Sequence, residues 1–186
     1  MAEAELRLPK ADRSYPCPDP AALDALRADL LVAPTNLRRA EPEFAHDEVR
    51  RFATAVLLVR AGSLTGTLKA SGPVRWSLAA AKLACEGRLS GPGDPHAELE
   101  TQIAQFDALG DESTIRWKDV PLEAALELPN AYELLRHMLT ASATRGHDVM
   151  ATLVRVASLQ QRYEKMVDVS RAEPVVRLLV EEVDQP

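Results

Sequence analysis

The residues of this chain best suited to chemistry are its clustered cations and four scattered histidines. Arg38-Arg39 stands between two helical stretches, where paired guanidiniums can reach a phosphate or carboxylate with little rearrangement. Arg50 and Arg51 follow on the next helix, and Arg75 and Lys82, seven residues apart, fall nearly eclipsed on one face of a later one. These six are the candidate partner- or phosphate-contacting residues. Between residues 33 and 90 there are nine Lys or Arg against five Asp or Glu, while residues 91 to 135 hold two against ten. The basic stretch therefore either meets an acidic partner or nucleic acid, or faces the acidic helices of its own fold.

Metal chemistry would need convergent His and carboxylates. Glu43 and His46 lie at i and i+3, the spacing at which a helix of a di-metal bundle aims a carboxylate and an imidazole at one ion. Such a site needs a second equivalent pair, and the nearest echo, Glu133 with His137, is spaced i and i+4. The dipeptides His46-Asp47 and His147-Asp148 resemble the adjacent metal ligands of HD-domain phosphohydrolases. That likeness covers two residues each, without the family's separate upstream His and distant downstream Asp in a motif. A small metal-dependent helical hydrolase or di-metal enzyme is accordingly the alternative reading, and no metal or cofactor is assigned. For Asp148 the simpler account is a helix N-cap.

Other catalytic signatures are missing from the sequence. There is no Gly-rich phosphate loop, no Gly-x-Ser-x-Gly elbow, no His-Glu-x-x-His and no Cys-x-x-Cys. The two cysteines, Cys17 and Cys85, are 68 residues apart and read as free thiols, with Glu86 beside Cys85 disfavouring a thiolate. A net charge of −6 argues against a dedicated nucleic-acid binder. The N-terminus shows no basic leader with an apolar core, and no run approaches the roughly 20 apolar residues that cross a bilayer. A cytoplasmic protein without membrane contact is expected.

The elements that must position these residues are helices. Residues 1 to 19 carry Pro9, Pro16 and Pro18 and predict an extended arm; residues 20 to 186 predict one helical domain. Asp19-Pro20 opens a first helix that ends before Pro34, and Pro42 opens a second that ends at Gly62. Along that second helix Phe44, Val49, Phe52, Val56 and Val59 form one apolar stripe, which predicts a central helix with Phe52 and Val56 in the core. Further helices are predicted from Pro73 to about Leu89, from Pro95 to Gly110, from Pro121, from Asn130 to before Gly146, and from Asp148 to about Ser170. Trp76, Leu83, Ile103, Phe106, Leu135, Leu153 and Val156 complete the expected core. Residues 63–69, 113–118 and 175–183 read as strand, helix or loop alike. The expected fold is all-α, an irregular bundle of six or seven helices with room for one small β element. Its expected role is that of a non-enzymatic interaction protein, a subunit or adaptor in a cytoplasmic assembly. A protein partner or a second copy is expected, with nucleic acid reached through residues 38–88.

Overall fold

The computed structural model describes residues 20–33, 43–71, 75–109, 117–141, 146–163 and 169–183. Nine α-helices occupy these residues, two or three more than the periodicity predicts, with no strands among them, and the all-α class holds. They are α1 (Pro20–Ala28), α2 (Asp47–Arg60), α3 (Leu64–Ser71), α4 (Arg75–Leu89), α5 (Pro95–Asp107), α6 (Val120–Leu126), α7 (Ala131–Ala141), α8 (Gly146–Tyr163) and α9 (Val169–Val183). The chain clusters into two compact units that divide inside α4, one up to Ala84 and one from Cys85. The expected arm, residues 1–19, lies outside the described residues.

In the first unit, α1 ends early because Leu30 takes a left-handed conformation, φ 57°. The Leu31 N–H then donates to the Leu26 carbonyl (2.9 Å) and the Leu30 N–H to that of Arg27 (3.1 Å), the two bonds of a Schellman cap. Glycine is the usual occupant of that position; here a leucine holds it, with its side chain 73% exposed. The turn aims the chain back toward the start of α2. A lone antiparallel bridge pairs Val32 with Phe44, secured by Ala33 N–H to the Glu43 carbonyl (2.8 Å) and Ala45 N–H to that of Leu31 (3.0 Å). This is the only β feature among the described residues, and it lies in none of the three segments where the sequence left room for one.

The segment from Ser63 resolves as a helix. Ser63 Oγ accepts the Gly66 N–H at 3.2 Å, capping α3, and Leu64 and Leu68 are buried one turn apart. Helix α2 packs on α3 but turns a different face inward than its sequence suggests. Its buried residues are Thr54, Ala55 and Leu58, whereas Phe52 is 58% and Val56 49% exposed. The expectation that Phe52 and Val56 belong to the core is wrong. A small-residue stripe seats the backbone closer to its neighbour than a Phe would permit, so the larger side chains point away.

In the second unit the short helix α6 is the centre. Val120, Pro121, Leu122, Ala124, Ala125 and Leu126 are all buried, and α5, α7 and α8 pack around it. Helix α9 closes over α7 and α8. Leu99, Phe106, Leu134, Leu135, Leu153 and Val156 fill the interior, confirming Phe106, Leu135, Leu153 and Val156 as core. Leu83 and Ile103 are only half-buried. The start of α5 follows the sequence signal closely: Asp94 Oδ1 accepts the His96 N–H at 3.0 Å, with Pro95 at the first helical position. Of the third ambiguous segment, Val175 to Val183 is the end of α9, helical through Pro174. At Trp117–Asp119 the chain makes a 3-10 turn rather than a strand.

Candidate interaction site

The six nominated cations do not form one described cluster. Arg38 and Arg39 lie outside the described residues. Arg50 and Arg51 sit on the first turns of α2 and are engaged locally, Arg50 with Asp47 at 2.8 Å and Arg51 with Glu48 at 2.6 Å. Those acids belong to the basic stretch itself, so the pairing comes from i,i+3 geometry rather than from the acidic helices. Arg75 is the first residue of α4, its side chain outside the described ones, and Lys82 is half-buried on the same helix with polar contacts of its own. Among the described residues the two sequence stretches do meet in an ion pair: Arg88, closing α4, lies 3.8 Å from Glu98 on α5.

The second unit holds three polar clusters. Asp119, buried at the end of the 3-10 turn, receives both terminal nitrogens of Arg155 from α8, a fork that ties α8 to the start of α6. Tyr132 on α7 donates its hydroxyl to Glu181 on α9, and the Arg177 guanidinium lies 3.7 Å from the Tyr132 ring centroid. That hydrogen bond to Glu181 holds the Tyr132 phenol above its ordinary range, assisted by desolvation and partly offset by Arg136 and Arg177. The third cluster is His96 with His137, ring centroids 4.0 Å apart across α5 and α7. No third ligand converges on them: among the described residues no group of three or more His, Cys, Asp or Glu is placed to hold a metal.

Cys85 is buried in the second unit, where the Gln102 amide reaches its carbonyl at 3.3 Å. Burial pushes its thiol well above the usual range, more strongly than the nearby Glu98 and Glu86, while Arg88 acts the other way. The sequence anticipates the direction but credits Glu86, the smallest contributor. A cleft of about 700 Å³ opens among α5, α6 and α8, lined in part by Asp107, Lys118, Thr152 and Arg155. Its cations already hold polar partners.

The feature that sequence reasoning assigned to the core is an outward apolar face. On α2, Phe52, Val56 and Val59 are exposed one turn apart, and in the same unit Leu26 on α1 and Leu30 and Leu31 in the turn after it are exposed. A smaller face on α9 presents Val176 and Val180, each 56% exposed, between Glu173 and Glu181. The signal was present in the sequence: Thr54, Ala55, Leu57 and Leu58 make α2 apolar on nearly every side, so a helix with one buried face must show another.

Neither a family model, nor a curated protein, nor a solved structure matches this chain. No described helix is long and apolar enough to cross a membrane.

Proposed function

We propose that this chain is a non-enzymatic helical interaction protein, a subunit or adaptor of a cytoplasmic multiprotein assembly. The observation carrying this reading is the face of α2, where Phe52, Val56 and Val59 stand exposed while the opposite stripe of the same helix is buried. Single exposed hydrophobic residues are ordinary, but three at helical spacing on one helix form the kind of apolar face that marks an association site. Phe is moreover among the residues enriched in interface cores. Contact with nucleic acid through residues 38–88 is a subsidiary part of this proposal and rests on the charge of that stretch alone.

The test is cross-linking of the tagged full chain in its native cells, comparing wild type with Phe52→Glu. The expected result is a discrete cross-linked product that the substitution abolishes while the variant keeps its helical circular-dichroism spectrum. An identical pattern for both proteins would overturn the reading.

A further inference from the structure

We infer that the partner of the α2 face is a second copy of this chain, docked with the two α2 helices antiparallel. The inference rests on the reading of α2 as an interaction face and adds the identity of its occupant. Val49, Phe52, Val56 and Val59 follow three-four-three spacing, the seam of a two-helix coiled coil; Val49 is half-buried and the other three are exposed. That spacing is symmetric about Thr54. In an antiparallel pair centred there, Phe52 meets the second copy's Val56, and Val49 meets its Val59, so the same four residues complete both sides of the seam. A two-fold interface requires this self-complementarity, and an unrelated partner imposes no such symmetry.

The charges bounding the seam carry the same relation with opposite sign. Glu48 precedes it and Arg60 follows it, both exposed and both six residues from Thr54. An antiparallel pair brings Glu48 level with the second copy's Arg60, whereas a parallel pair sets Glu48 beside Glu48 and Arg60 beside Arg60. The two ends lie about 18 Å apart along the axis, beyond a Debye length of about 8 Å, so each end responds to its own level. The antiparallel arrangement also opposes the helix macrodipoles. One helix face covers less than the roughly 800 Å² per partner of a standard interface, so the dimer is reversible and concentration-dependent.

Sedimentation equilibrium of the full chain from about 5 to 500 µM should show a monomer–dimer equilibrium, with Phe52→Glu and Val56→Glu each weakening it tenfold or more. Circular dichroism of both variants should match wild type, which separates lost association from lost folding. Orientation is read in a Cys17→Ser background, where buried Cys85 stays silent to reagent. Across helix ends about 18 Å apart, a cross-linker reaching about 10 Å should join Glu48→Cys chains to Arg60→Cys chains in a mixture and should leave either variant alone uncoupled. Coupling of Glu48→Cys to itself would overturn the antiparallel arrangement. A monomer at the highest concentration would overturn the second copy as occupant. If Phe52→Glu then still abolished a cross-link to another protein, the interaction reading would stand without it.

Discussion

At the residue scale, the Asp119–Arg155 fork is the contact whose loss should be felt most. Asp119 is buried, and its carboxylate faces a guanidinium that reaches in from α8 with both terminal nitrogens. Arg155→Ala leaves that carboxylate without its fork, and the expected cost is about 3 to 5 kcal/mol in urea unfolding. The paired change Asp119→Leu with Arg155→Met removes both charges and should recover most of that loss. A shift under ~1 kcal/mol for Arg155→Ala would show that the carboxylate is compensated elsewhere. Cys85 and Tyr132 make a pH prediction of one sign. Both hold folded-state pKa values above their unfolded ones, Cys85 through burial and Tyr132 chiefly through its hydrogen bond to Glu181. Each therefore favours the protonated form in the folded protein, so its stabilising effect is complete below the unfolded pKa, near 8.5 for a thiol and 10 for a phenol. It is lost as pH rises toward the folded value. Stability should decline from about pH 8.5 upward in a first step absent from Cys85→Ala, and from about pH 10 in a second step absent from Tyr132→Phe. Denaturant midpoints taken across that range check both.

At the scale of elements, α1 and α2 predict opposite surprises for ordinary substitutions. Leu30 occupies a left-handed position that costs a residue with a Cβ about 1 to 2 kcal/mol, and its exposed side chain has little burial to lose. Leu30→Gly should therefore stabilise the first unit, by about 0.5 to 1 kcal/mol after the added chain entropy of glycine is set against the relief. A lowered midpoint would show that the Leu30 side chain has a packing role. On α2, Leu58→Ala should cost about 2 to 5 kcal/mol, while Phe52→Ala in dilute solution should cost under ~1, the reverse of what side-chain size suggests. These helices show what was readable in advance. Asp94-Pro95 and Pro121 announced α5 and α6 correctly, because a cap and a first-turn proline act through local backbone geometry. The inward face of α2 was not readable, because both of its faces are apolar and the choice belongs to the neighbour that covers it. The run after Pro174 was ambiguous for a similar reason. Its β-branched residues suit a strand, yet Val175 and Leu178 are buried three apart where α9 packs on α7 and α8, and tertiary contact decides for helix.

At the scale of the whole molecule, charge divides as the backbone does. Residues up to Ala84 hold twelve basic and ten acidic side chains, and those from Cys85 hold ten and eighteen, so an electropositive first unit precedes a strongly acidic second one. The candidate site was legible only at this coarse level: the basic stretch could be located, but whether its cations face outward depends on where acids of the same chain come to lie. Among those described, Arg50 and Arg51 are paired within their own helix and Arg88 with Glu98, while Arg38 and Arg39 lie outside the described residues. If the sequence-based expectation for Arg38-Arg39 holds, association with a polyanion runs through that dipeptide and weakens with added salt, since displaced counterions carry the energy. Arg38→Glu with Arg39→Glu is the decisive change. If these arginines form a contact surface, it should lower the salt concentration at which the protein elutes from heparin while leaving the melting temperature nearly unmoved, because charges that meet a partner rather than their own fold contribute little to folding. The opposite pair of results, unchanged elution with a lowered melting temperature, would mean that these arginines neutralise acids of their own fold, and would remove them as a contact surface.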